Sequence, residues 1–318
     1  MASTGWVDTH VHLWDLDKFS LPWTVGAGKL STSHLLSDYE AATAGLNISK
    51  GVYMEVDVEP DQRQAEVDYI SGLCADPANL LCGAIIAGDP AEEGFEAYVR
   101  HNAPNPFVNG LRRVLHPPEC GPGYCLSPAF VEGIRLLGEL GLTFDLCLRP
   151  GELADGAQLA RLCPGTTFIV DHCGNPSPHI NSGTPDPTPE GFLRMGEHTL
   201  AGWEASMAAL AAEPNTWCKL SGIIARADVA WADELLHPTY EKCIELFGAG
   251  RCFFGGDWPV CTMGAEGAAG VADHHRALST VVAKLPSAAQ QAIKHDNAVK
   301  AYGLGAGGGL GGGGGASL

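Results

Sequence analysis

Short, nearly continuous apolar runs recur along the chain, and several of the stretches between them carry apolar residues at helical spacing. Trp6–His12, Gly51–Val58, Leu80–Ala87 and Gly110–Leu115 predict four strands. Leu142–Leu148, Thr167–His172, Trp217–Leu220 and Cys252–Gly256 predict four more. Most of them do not alternate apolar with polar residues, as expected of strands covered on both faces in a parallel sheet. Between them, Arg63–Leu73, Phe130–Leu140, Gly202–Ala212 and Thr239–Phe247 have the periodicity of amphipathic helices. Repeated strand–helix units predict an α/β fold, a (β/α)8 TIM barrel. An open doubly wound sheet is the second architecture, but no glycine-rich phosphate loop follows the first strand.

Two connections are long for such a fold. Leu13–Leu36 and Cys173–His198 both follow strand ends that carry histidine, and the second is dense in Pro, Gly and Asn. Loops of that kind on a barrel cover an active site or are surface insertions. A single domain is expected over residues 1–304, followed by a disordered glycine-rich tail over 305–318 that lacks the side chains to bury a core.

The chain has 318 residues, of which 45% are hydrophobic and 18% charged, a balance suited to a well-buried globular enzyme. Its net charge of −18 repels phosphate backbones and anionic lipid, so neither nucleic acid nor a membrane surface is an expected partner. The expected partner is a small-molecule substrate, with a homo-oligomer left open. Met1 to Asp8 has neither a basic start nor an apolar run, so no secretory leader is expected there. Eleven cysteines with no C-x-x-C pair, many of them inside apolar runs, predict free thiols and a cytoplasmic location.

Barrel chemistry gathers at the C-terminal ends of strands. The polar residues there begin with His10 and His12, with Glu55 and Asp57 on the second strand and Arg112, Arg113 and His116 around the fourth. Asp145 and Arg149 follow on the fifth, His172 on the sixth, Lys219 and Ser221 on the seventh, and Asp257 at the end of the eighth. Strand alternation places Asp8, His10 and His12 on one face, with Asp8 two residues deeper and suited to orient His10. The same rule turns Asp171 away from His172, into a structural role, and lets only one of Arg112 and Arg113 point inward. Glu55 is either an inward ligand or half of a packed pair. Among Trp14, Trp23, Trp203 and Trp258, core packing is expected of most, with a wall for a sugar ring as the other use.

In this order the motifs resemble the amidohydrolase superfamily, in its branch of sugar-lactone and pyrone-dicarboxylate lactonases. The resemblance runs from about Val7 to Leu304. It rests on Val7-Asp8-Thr9-His10-Val11-His12-Leu13-Trp14-Asp15, Gly110-Leu111-Arg112-Arg113 and Phe144-Asp145-Leu146-Cys147-Leu148-Arg149-Pro150. Asp171-His172-Cys173-Gly174-Asn175-Pro176, Cys218-Lys219-Leu220-Ser221-Gly222 and Phe254-Gly255-Gly256-Asp257-Trp258-Pro259 complete it. It implies a hydrolase that opens a lactone, most simply of a sugar acid. Asp257 would activate water, while His10, His12 and His172 would polarise the carbonyl. Arg112, Arg113, Lys219 and Arg149 are the candidates for binding substrate.

Two-metal members of the superfamily carry a bridging lysine or glutamate and two further histidines, and this chain has no obvious counterpart. His10, His12, His172 and Asp257 are left, able either to hold one divalent ion such as zinc or to act without metal. Two other functions fit the same residues: decarboxylation of an unsaturated acid, and a catalytically silent binding barrel.

Overall fold

In the computed structural model, eight strands form one parallel sheet in chain order. Residues 5–184, 186, 195–227, 233–264 and 270–305 are described. The strands are β1 (Trp6–Val11), β2 (Ile48–Met54), β3 (Leu81–Ala87), β4 (Val108–Val114), β5 (Thr143–Cys147), β6 (Phe168–Val170), β7 (Thr216–Leu220) and β8 (Cys252–Phe254). The sheet closes on itself just past β8. His12 N donates to the Trp258 carbonyl at 2.9 Å, and Asp257 N donates to the His10 carbonyl at 2.8 Å.

Helices cover the outside of the barrel: α1 (Leu36–Ala42), α2 (Arg63–Ala75), α3 (Phe95–Asn102), α4 (Pro128–Glu139) and α5 (Leu153–Leu162). After a short α6 (Pro178–Ser182) come α7 (Leu200–Ala212), α8 (Asp233–Phe247), α9 (Val271–Val282), α10 (Ser287–Gln291) and α11 (Asn297–Tyr302). The core follows the pleat. One face of the strands supplies Trp6, Tyr53, Leu111, Phe144, Phe168 and Phe254 to the layer beneath the helices. The other face supplies Val7, Val52, Met54, Ile85, Ile169 and Phe253 to the barrel interior, where Tyr302 and Leu304 plug the lower end. All eleven cysteines are free. Among the described residues no helix is long and apolar enough to cross a membrane. The tail expected over 305–318 lies outside the described residues from 306 onward.

Two face assignments change. Val7 already faces the interior, so Asp8 points outward and accepts a hydrogen bond from the Tyr39 hydroxyl of α1 at 2.8 Å. A register irregularity between Asp8 and Val11 then brings His10 back inside. Asp8 therefore braces backbone, accepting from His10 N and Gly256 N, and does not touch the His10 ring. At β6 the strand ends at Val170, two residues earlier than predicted. Asp171 faces inward like Ile169, and His172 follows it inward because its φ is +52°. Asp171 is thus an interior group, not an outward structural one.

Glu66 of α2 is buried and anchors the exit of β2, accepting from the Tyr53 hydroxyl at 2.8 Å and Val56 N at 3.0 Å. Burial and the nearby Glu55 carboxylate push its pKa up to about 7 from 4.5. A carboxyl that binds its proton more tightly when folded stabilises fully below about pH 4.5, and that contribution is lost as pH rises through 7. Chemical denaturation of Glu66→Gln should gain on the parent protein by roughly 3 kcal/mol between about pH 4.5 and pH 8. A difference that stays constant with pH would show that Glu66 titrates normally.

Candidate active site

The C-terminal rim of the barrel holds an unusual share of left-handed backbone. Asp57, His172, Cys173, Asn175 and Asp257 all have φ between +51° and +58°. Non-glycine residues avoid this region at a cost of about 1 kcal/mol or more each, and such strain gathers where side chains must be aimed. Here it aims His172 and Asp257 at the paired histidines of β1.

Asp257 Oδ1 lies 3.6 Å from His10 Nε2, 3.6 Å from His12 Nε2 and 3.9 Å from His172 Nε2. Each outer ring is held from behind. His12 Nδ1 sits 3.1 Å and 3.0 Å from the Met54 and Glu55 carbonyl oxygens. His172 Nδ1 is 2.8 Å from the Ser221 hydroxyl. Burial pushes Asp257 up, but the His172, His12 and His10 rings around it hold its carboxyl well below the usual carboxylate range. Burial lowers His172 to about 4 and, with the nearby Lys219 ammonium, holds His10 well below the usual imidazole range, so these rings are neutral at neutral pH.

Above this cluster opens a cavity of about 740 Å³, within the range of small-molecule sites. Its wall includes Asp257, His12 and His172, with Arg112, His116 and Arg226 beside them. Trp23 from the first long loop and Met195 and Gly196 from the second line it as well. Trp14, Trp203 and Trp258 are instead buried in the core.

The four candidate substrate-binding cations part company. Arg112 faces inward and pairs with Glu55, Nε to Oε1 at 2.5 Å and Nη2 to the Glu55 carbonyl at 3.0 Å, with Nη1 3.3 Å from His10 Nε2. Glu55 is therefore a packed partner. Arg113 turns outward to Asp89 at 3.3 Å. Arg149 reaches the cavity wall, but its guanidinium clamps the loop after β4 through the His116 and Pro117 carbonyls, both at 2.7 Å, the Cys120 carbonyl and Glu152. Lys219 is fully buried below the cavity floor, 2.7 Å from Asp145 and 2.9 Å from Asp171, and is not a wall residue.

Arg226 was missed by sequence reasoning. It ends a 3-10 turn after β7, is buried, and donates from Nη2 to the Asn175 side chain at 2.7 Å. The signal available was an arginine inside the apolar run Ile223-Ile224-Ala225-Arg226-Ala227, immediately beyond a strand end.

Among the described residues, His10–His12–Asp257 and His10–Asp171–His172 are groups that could hold a metal ion. Imidazole nitrogens with one carboxylate oxygen suit a single zinc-like ion, and the rear contacts of His12 and His172 leave their Nε2 atoms facing the centre. The donor set fits such an ion.

The family described as Amidohydrolase matches residues 7–304. An L-fucono-1,5-lactonase from Burkholderia multivorans is 25% identical over 268 residues, covering 82% of this chain and 84% of that protein. An L-rhamnono-gamma-lactonase from Scheffersomyces stipitis is 24% identical over 302 residues, covering 81% and 86%. Among solved structures, a Burkholderia multivorans amidohydrolase superposes with a TM-score of 0.77 at 20% identity, over 94% of this chain and 99% of that one.

Gly222 carries the placement of His172. Its φ is +70°, and a Cβ there would stand 2.2 Å from His172 Nδ1. Gly222→Ala should displace the ring and lower turnover roughly 100-fold while the protein still melts cooperatively. Turnover at the parent level would show that His172 needs no fixed position.

Proposed function

The chain belongs to the amidohydrolase family, and from that premise we propose that it is a hydrolase opening a cyclic ester, the lactone of a sugar acid. The observation that carries this reading is one buried carboxylate, Asp257, facing three imidazoles on the floor of an arginine-walled cavity. The two curated lactonases support it.

Lactone opening needs an acceptor for the proton of water, donors for the developing oxyanion, and a proton for the departing alkoxide. Asp257 is ionised at neutral pH and is the acceptor. Water adds to the ester carbonyl carbon as its proton passes to Asp257. The oxyanion that forms is stabilised by the N–H groups of Arg112 and the neighbouring imidazole. The ring C–O bond then breaks, and Asp257 returns its proton to the alkoxide oxygen. The product is a hydroxy acid, which ionises and releases one proton to solvent. Arg226 and Arg112 on the wall suit the hydroxyls or carboxylate of such a substrate. A divalent ion held by His10, His12 and Asp257 would add Lewis-acid polarisation of the carbonyl.

The test is a panel of five- and six-membered aldonolactones followed by acid release, with carbon dioxide measured in parallel. Acid without carbon dioxide is expected. Asp257→Asn should lower kcat by about 10³-fold with KM changed little. Carbon dioxide release from an unsaturated acid would replace this reading with decarboxylation, and unchanged turnover in Asp257→Asn would remove the base.

A further inference from the structure

The cavity of about 740 Å³ has two kinds of wall. Asp257, His12, His172, Arg112, His116 and Arg226 bring hydrogen-bonding groups to it, and all of them come from a strand end or the first turn beyond one. Much of the remaining wall is apolar and is supplied by the connecting segments, through Trp23, Val56, Pro117, Pro118, Met195 and Val260. The volume is that of a site for a drug-sized ligand, and a bare aldonolactone fills only a fraction of it.

The polar atoms that these segments do carry are bonded within the protein. Trp23 Nε1 donates to the Val56 carbonyl at 2.7 Å, which removes the indole donor and the Val56 acceptor together. The Trp23 ring is pinned edge-to-face on Trp14, with centroids 5.5 Å apart. Pro117 and Pro118 have no N–H, and the Pro117 carbonyl accepts from Arg149 Nη2 at 2.7 Å. Arg149 turns its guanidinium to that backbone and to Glu152, so the second long loop meets its stem: a Cβ on Gly196 would lie 3.9 Å from Arg149 Cδ. Asp57 leans toward Arg113, with Oδ1 3.9 Å from Nη1.

This wall discriminates by chemistry. A sugar ring can lay one face on an indole, but the hydroxyls at its edge need partners, and a hydroxyl taken out of water without one weakens binding. An apolar group against the same residues gains by leaving water. We propose that the substrate is a lactone whose ring carries an apolar arm, aryl or alkyl, with the ester over Asp257 and the arm against Trp23, Pro117, Pro118 and Met195. Arg112, Arg226 and His116 face the polar ring, and bare aldonolactones, which occupy that part alone, are the poorer substrates. The place of the ester rests on the lactone reading; the match between the loops and an apolar arm does not.

The full chain is assayed with γ-butyrolactone and its γ-phenyl, γ-butyl and γ-hydroxymethyl derivatives, which differ only in the arm. A phenyl or butyl arm is expected to raise kcat/KM at least about tenfold, and a hydroxymethyl arm is not. The larger of the two gains tells an aryl arm from an alkyl one. Trp23→Ala, checked for a cooperative melt, should cut the apolar advantage about fivefold. Equal kcat/KM across the series, or an advantage left intact in the folded variant, overturns the proposal. Should the variant not fold, the series on the parent protein decides alone. Calorimetry with the ring-opened hydroxy acids of the phenyl and unsubstituted lactones reads the same preference without turnover. Tighter binding of the phenyl acid with no lactone hydrolysed would leave the apolar arm standing and remove only the lactone reading, whereas equal affinities overturn the arm itself.

Discussion

The seam where β1 meets the segment after β8 is the contact on which the site depends. His10 and Asp257 exchange a backbone hydrogen bond there, as do His12 and Trp258. Three of the four residues whose peptide groups close the barrel, His10, His12 and Asp257, thus also send their side chains into the cluster above it. Asp8 reinforces the seam by accepting from His10 N and Gly256 N together. A Cβ on Gly256 would lie within 2.3 Å of that carboxylate, so glycine at this position is what allows the two backbones to approach.

Beneath the floor, charge is arranged with little access to water. Lys219 lies between Asp145 and Asp171, and Arg112 between Glu55 and the cluster. Burial disfavours the charged lysine, but its two carboxylates outweigh burial and raise its pKa. Asp171, pushed up by burial, is brought well below the ordinary range by Lys219 and His10. Buried pairs of this kind contribute little net stability, because desolvation offsets most of the attraction. Their effect is geometric: each fixes a donor or acceptor direction in an interior that offers no water to substitute.

The cavity wall and the outer surface have opposite character. The chain carries a net charge of −18, while Arg112 and Arg226 stand on the wall beside Asp257. A ring-opened acid carries a new negative charge that these arginines would meet at close range, within a protein whose overall field disfavours anions.

The sequence by itself determined the barrel and the place of its strands along the chain, since continuous apolar runs separated by helical periodicity admit few other parallel folds. It also brought His10, His12, His172 and Asp257 forward as candidates, because a histidine pair, a sixth-strand histidine and a last-strand aspartate recur together at strand ends. Facing was legible only where the strand stayed regular: alternation put Arg112 and Arg113 on opposite faces, without telling which faced in, but misplaced Asp8, where a register irregularity intervenes, and Asp171, where the strand stops early. Depth along the barrel axis was not legible at all, and only the tertiary structure decided it. A lysine on β7 reads the same whether it lines a cavity or lies below one, and what settles the matter is the set of carboxylates brought to it by β5, the end of β6 and, through Tyr302, the last helix. Those partners are tens to more than a hundred residues apart in the chain, and local pattern carries no information about which of them meet.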